Sequence, residues 1–224
     1  DDAPIGGAVP RPGVLRALHA IVGHRGPVYC CCFAADGSRV VTGSWDRRVR
    51  VWDADSGERL RVFDEHADAV LSASPGPGTL VVTASWANEA LVWDVATGDV
   101  LVALRSHGAA VNGVAWSSDG RRVVTASEDR TAKVWDAETC EQKCVLKASG
   151  DRATGLAWHP RQLTVAVGTA DGNATLWDVA AACSGDAMET DGKAPAGTLL
   201  HTFRGHRARL GNVEFHPCLL YTSP

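Results

Sequence analysis

Between residues 28 and 63 the chain passes through four short apolar stretches separated by turn-forming pairs. Val28 to Phe33 is a strand-length apolar run, Asp36-Gly37 signals a hairpin because glycine takes positive φ without a Cβ penalty, and Arg39 to Ser44 is the return strand. Asp46-Arg47 makes the next tight turn, Val49-Arg50-Val51-Trp52 alternates in side-chain character, and Ser56-Gly57 leads into Arg59 to Phe63. The order returns as Val111 to Trp116, Asp119-Gly120, Arg122 to Ser127, Thr131 to Trp135 and Val145-Leu146. Every stretch has strand length, and this period predicts no helix.

Trp-Asp pairs recur at Trp52, Trp93, Trp135 and Trp177, spaced 41, 42 and 42 residues apart. Three follow a histidine at a near-constant offset: His24 before Trp52, His66 before Trp93 and His107 before Trp135. A further unit opens at Gly205-His206. A period of about 40 to 45 residues ending in Trp-Asp marks one four-stranded propeller blade per repeat. The chain therefore resembles the WD-repeat family, and the resemblance implies an all-β WD-repeat β-propeller with about four complete blades and partial blades at both ends. The repeats fall at about 24–53, 66–94, 107–136 and 149–178, with a partial one at 206–217. Val14 to Leu18 reads as the outer strand of a preceding blade and Leu199 to Phe203 as that of the fourth. Residues 1–13 read as a linker, 14–217 as the repeat segment, 180–197 as a flexible inserted loop and 218–224 as a non-repeat tail. The sequence starts at Asp1 and carries one methionine, so it reads as a fragment.

His24, Ser44 and Asp46 are the residue types of a hydrolase triad, in which a histidine takes the serine proton and an aspartate orients the ring. The trio returns as His107, Ser127 and Asp129, each time at a fixed offset from a Trp-Asp tryptophan. Catalysis needs one such site, whereas a repeated blade needs one lock per unit. The family resemblance implies a structural tetrad of His, Ser or Thr, Asp and Trp: His24, Ser44, Asp46 and Trp52; His66, Ser85 and Trp93; His107, Ser127, Asp129 and Trp135; Thr169, Asp171 and Trp177; and His206 in the partial unit. Ala87 stands in the place of Asp46 and Asp129, and Ser149 in that of His107, so blades two and four are expected to be the softer ones.

Trp45 and Trp86 precede the tetrad Asp or its replacement in adjacent blades. In the family this turn lies on a face that binds partners, and an exposed aromatic there is a candidate anchor. The same face is expected to carry Tyr29, Leu71, Asn112 and Arg152 beside the inner strands, with Glu128 at the turn equivalent to Trp45. This mixture of aromatic, apolar and charged groups suits a protein or peptide and does not suit a phosphate backbone.

A net charge of -4 and a pI near 6.1 argue against a general nucleic-acid surface. The basic clusters Arg47-Arg48-x-Arg50 and Arg121-Arg122 read as solvated turns and strand faces. Seven cysteines, three of them consecutive at Cys30 to Cys32, suit reduced thiols better than a disulfide framework. Cys140-x-x-x-Cys144 has no second ligand pair at zinc-finger spacing, and no glycine motif for phosphates occurs. The expectation is a non-enzymatic scaffold without cofactor or metal, placed in the cytoplasm or nucleus. Its expected partners are other proteins or peptides and further blades of its own chain, and no membrane. Two narrower readings accompany it. The stretch from Gly150 to Pro217 looks like the opening of a spliceosomal small nuclear ribonucleoprotein propeller, and the segment also suits a regulatory or substrate-recruiting part of a larger enzyme.

Overall fold

The computed structural model describes residues 19–148, 150–183, 196–211 and 213–215. They form four antiparallel sheets of four strands each. Blade one is β1 (Val28–Phe33), β2 (Arg39–Ser44), β3 (Val49–Asp53) and β4 (Arg59–Phe63), paired in that order. Blade two is β5 (Val70–Pro75), β6 (Leu80–Ser85), β7 (Glu89–Asp94) and β8 (Val100–Arg105). Blade three is β9 (Val111–Trp116), β10 (Arg122–Ser127), β11 (Thr131–Asp136) and β12 (Gln142–Lys147). Blade four is β13 (Ala153–Trp158), β14 (Thr164–Thr169), β15 (Ala174–Asp178) and β16 (Thr198–Phe203). This is the all-β, four-bladed WD-propeller architecture that the repeats predict.

Side chains alternate across each sheet, so a middle blade feeds two cores. Blade two gives Val81, Leu91 and Trp93 to the seam with Val41, Val49 and Val51 of blade one. From its other face, Val82, Ala84, Ala90 and Val92 meet Trp116, Val123 and Trp135 of blade three. Val124, Val134 and Leu146 of blade three pack on Val165, Val167 and Trp177 of blade four in the same way. Thus the tryptophans of blades two to four each lie in the seam with the preceding blade. Blade one has no described neighbour on that side, and Phe33 is 61% exposed where its counterparts Trp116 and Trp158 are 8% exposed.

Two local features set the face described below. The turn after each second strand carries a left-handed residue, namely Arg47, Asn88, Arg130 and Gly172, with φ of 64°, 64°, 68° and 82°. Each inner strand also slips register by one residue near its start, between Val28 and Cys30 in β1 and between Val70 and Ser72 in β5. The pairing of β9 skips Asn112, and that of β13 skips Thr154. A bulge of this kind frees one residue from the ladder and re-aims its side chain.

Three expectations need correction. The predicted loop at 180–197 begins with a one-turn helix, α1 (Ala180–Cys183), started by the Ala180 N–H donating to the Asp178 carboxylate. Ala182 buries into the seam between blades three and four, and apolar burial there outweighs the strand period of the repeat. The described part of the partial unit, 206–211 and 213–215, forms no strand. Instead it covers blade four: Thr154 Oγ1 donates to the Leu210 carbonyl at 2.6 Å, and a side chain at Gly168 would meet Val213. Finally, Arg50 is 3% exposed and does not belong to a solvated basic face. The readings placed on residues 1–18, Ser149, 184–195 and 216–224 lie outside the described residues.

Candidate functional site: histidine networks beneath the turn-bearing face

In blade one, the His24 ring bridges two partners. Its Nδ1 lies 3.0 Å from the Asp46 carboxylate and its Nε2 lies 2.8 Å from Thr42 Oγ1, which also accepts the Trp52 indole N–H at 2.9 Å. Blade three repeats this, with His107 at 2.7 Å from both Asp129 and Thr125, and Trp135 donating to Thr125 at 2.9 Å. The hydroxyl joining Trp to His is therefore Thr42 or Thr125, and the assignment of that role to Ser44 and Ser127 is corrected. Both residues lie on the same face of the strand, two apart, but Thr sits in its middle where the indole reaches it, whereas Ser sits at its end.

The serines have another task. Ser44 Oγ donates to the Gly26 carbonyl and accepts the Asp46 N–H, which ties the tight turn to the loop entering the blade. Ser85 and Ser127 do the same with the Asp68 and Ala109 carbonyls. No serine meets a histidine in these networks, and Thr42 and Thr125 are buried with their oxygens engaged. Each threonine hydroxyl does sit beside a histidine oriented by a carboxylate, but it is buried and its oxygen is occupied by the indole N–H, so the arrangement is that of a lock with no room for a substrate.

Burial pushes the Asp46 and Asp129 carboxyls up, but hydrogen bonds outweigh it and hold both below the usual carboxylate range. For Asp46 these come from the Arg25 N–H and His24, and for Asp129 from the Thr131 hydroxyl and His107. Burial lowers the His107 pKa, an effect that Asp129 opposes.

Blades two and four carry incomplete versions. His66 keeps Thr83 at 2.7 Å, and Trp93 donates to Thr83, but Ala87 supplies no carboxylate and His66 Nδ1 has no hydrogen-bond partner. Glu89 on β7 comes only to 3.9 Å of that nitrogen, its other oxygen being held by Arg105 at 2.6 Å. Burial alone drives the His66 pKa down to about 4. In blade four, Val167 takes the place of the bridging threonine. Trp177 turns to Thr175, its neighbour two residues back, while Thr169 bonds Asp171 within the turn. His206 is exposed, its carbonyl lying against Gly172, and it joins no network among the described residues. We expect Ala87→Asp to raise stability by about 1 kcal/mol, the usual net gain from one buried hydrogen bond. Urea titration checks this, and an unchanged midpoint would mean that blade two has repacked around its alanine.

Above these locks, each turn hangs from the entry loop of its own blade. Trp45 N–H donates to the Pro27 carbonyl, Trp86 to Ala69, Glu128 to Ala110 and Ala170 to Arg152. These equivalent bonds bring the turns and the starts of the inner strands to one face. Tyr29, Trp45 and Trp86 form a contiguous row there, with ring centroids 6.1 Å and 5.0 Å apart and exposures of 49%, 46% and 39%. Tyr29 and the half-buried Leu71 also line a central cleft of about 430 Å³ to which all four inner strands contribute. Arg152 and Glu128 make an ion pair at 3.6 Å across the seam between blades three and four.

Two predicted members of this face are placed differently. Asn112 is 8% exposed and donates to the Ala153 carbonyl, so it joins the inner strands of blades three and four and offers little to a ligand. The bulge equivalent of Tyr29 in blade four is Thr154, held by Leu210, whereas Arg152 lies one residue before the strand. The six described cysteines are all free thiols; burial raises Cys30 and Cys32 to about 12, while Cys31 is exposed. Among the described residues no group of His, Cys, Asp and Glu is placed to hold a metal, and no helix is long and apolar enough to cross a membrane.

Comparison with known proteins agrees with this architecture. The chain is 40% identical over 65 residues to ribosome assembly protein 4 of Chaetomium thermophilum, covering 29% of this chain and 13% of that protein. It is 36% identical over 67 residues to the guanine nucleotide-binding protein subunit beta of Lymnaea stagnalis, covering 30% and 19%. Protein Mut11 of Chlamydomonas reinhardtii matches at 42% over 62 residues, covering 27% and 17%. The chain thus spans less than a fifth of the length of the curated relatives it matches. The model of the WD domain, G-beta repeat, matches residues 15–53, 98–136 and 140–178, and leaves unmatched the unit that carries Ala87. These matches take in more than half of the chain, which belongs to the WD40 repeat family.

Proposed function

We propose that the chain is a protein-interaction scaffold whose contact surface is the turn-bearing face. The observation that carries this reading is the row Tyr29, Trp45 and Trp86. Half-exposed aromatic side chains supply large contact area at small entropic cost, and they dominate the energetics of protein interfaces. A lone surface tryptophan needs no explanation, but three contiguous rings beside a cleft form a patch that association would cover. Arg152 and Glu128 add a charged pair at blades three and four, and such a partly exposed ion pair gives little stability and can exchange partners. The bonds from the Trp45 N–H to Pro27 and from the Trp86 N–H to Ala69 tie both turns to their entry loops, which lowers the ordering entropy that opposes binding.

Trp45→Ala with Trp86→Ala should leave the melting temperature within about 2 °C, because both residues are surface-exposed. It should weaken a bound protein or peptide by a factor of about 30 or more, the usual loss at an interface anchor. Affinity measurements on partners captured with the parent chain test it, and equal binding by the variant would remove this face from consideration. The reading is of a non-enzyme, so ester and peptide substrates should turn over at the solvent rate with the parent and with Ser44→Ala. Turnover by the parent that vanishes in a folded Ser44→Ala protein would contradict it.

A further inference from the structure

In blades one and three the tetrad carboxylate does two things at once. Asp46 accepts from His24 Nδ1 and from the Arg25 N–H, and Asp129 accepts from His107 Nδ1 and from the Gly108 N–H. Since a carboxylate only accepts, the ring proton in those blades is on Nδ1, and Nε2 receives the threonine proton. Blade two keeps the chain Trp93, Thr83 and His66 Nε2, and an acceptor placed at Nδ1 would hold the ring proton there as in the other two blades. At Ala87 the acceptor is gone. The result is a 3% exposed imidazole whose Nδ1 has no hydrogen-bond partner, beside the Ala67 N–H that corresponds to those of Arg25 and Gly108.

Ala87 is half-buried, so the place of the missing carboxylate borders the surface. His66 and Ala67 line a cavity of about 350 Å³ together with Asp46, Arg47, Arg48, Asp64 and Glu65. Its charged lining is mixed, with Arg47 and Arg48 facing Asp64, Glu65 and Asp46, the last engaged by His24 and Arg50. Glu89, the carboxylate nearest the orphaned nitrogen, is held 3.9 Å away by Arg105. We infer that blade two contains a binding site for a single carboxylate group, which enters where Ala87 has removed one and accepts from His66 Nδ1 and the Ala67 N–H. The geometry asks for two adjacent oxygens and a small substituent, which a free monocarboxylate and an aspartate side chain of a bound peptide both provide. Neither requires the aromatic row to bind anything.

The test uses the full chain at pH 7 with sodium acetate against sodium chloride at equal ionic strength, and N-acetyl-aspartate amide against N-acetyl-asparagine amide. Melting temperature and the His66 ring nitrogen resonances are read in the parent, in Ala87→Asp and in Ala87→Asn. At acetate four times its dissociation constant, the parent should melt about 2–4 °C higher. The His66 Nδ1 signal should move in step, and Ala87→Asp, whose own carboxylate fills the site, should show neither change. Ala87→Asn adds bulk without charge and should lose most of the response. Saturation by the aspartate compound at a tenth of the acetate concentration would assign the site to a protein side chain, and equal concentrations would assign it to free carboxylates. No movement of His66 with either probe, or the same thermal shift in Ala87→Asp as in the parent, would overturn the inference.

Discussion

Trp135→Ala is expected to lose about 3–5 kcal/mol of stability, the range for truncating a buried large aromatic side chain. The indole is 4% exposed in the seam between blades two and three, among Val82, Val92 and Val123. Its removal opens a cavity shared by two sheets and also deprives Thr125 of the N–H it accepts. Denaturant titration followed by tyrosine and far-ultraviolet signals measures the loss. His107→Ala should act in the same direction through the lock itself, leaving the Thr125 hydroxyl and the Asp129 carboxylate short of a partner. A Trp135→Ala protein as stable as the parent would mean that the seam between those blades holds little of the fold.

Acid should destabilise the protein in two stages. His66 binds its proton near pH 4 when folded and near 6.5 when unfolded, so between those values the unfolded chain carries the additional proton. Stability therefore falls as pH drops from about 6.5 to about 4, by roughly 3 kcal/mol from this residue, and the lowered His107 adds to the same stage. Asp46 and Asp129 have folded values below the ordinary one, so what they contribute is present above about pH 4 and is lost only below it. Unfolding free energies at pH 7, 5.5, 4.5 and 3.5 separate the stages. Ala87→Asp, by giving His66 a carboxylate, should flatten the first stage and leave the second. A parent stability constant from pH 7 to 4.5 would mean that His66 is not held neutral.

Strand positions were the most legible part of the chain. Val28 to Phe33, Arg39 to Ser44 and Arg59 to Phe63 read from alternation and turn pairs have the bounds of β1, β2 and β4, because each turn is local and each strand is short. The bridging hydroxyl was not legible. Position 42 and position 44 both offer hydroxyls on one face, and a hydroxyl at the second place recurs in all four units while Val167 interrupts the first. Reach along the strand decides between them, and that depends on the lean of the indole. Spacing does not choose either, since the interval to the tryptophan is ten residues from Thr42, Thr83 and Thr125 and equally constant at eight from Ser44, Ser85 and Ser127. Arg50 and Asn112 depart from expectation for another reason. A charged or amide side chain in an alternating strand looks solvated until the neighbouring segment is in place, and Gly23 lies against the Arg50 guanidinium while Ala153 accepts from Asn112.

The family repeat and the blade are out of phase, and that offset decides what a break in the chain would do. Residues 98–136 run from β8 through β11, and residues 140–178 from β12 through β15, so each repeat donates its first strand to the sheet before it. A peptide bond cut between Asp136 and Gln142 would leave β12 on the C-terminal piece while its ladder partner β11 stays on the other. Two such pieces would be held together by main-chain pairing as well as by the seam, much as a zip engages its two halves. Fragments divided at this turn should therefore find each other and reassemble, which makes the boundary between repeats a natural place to split the protein into complementing halves.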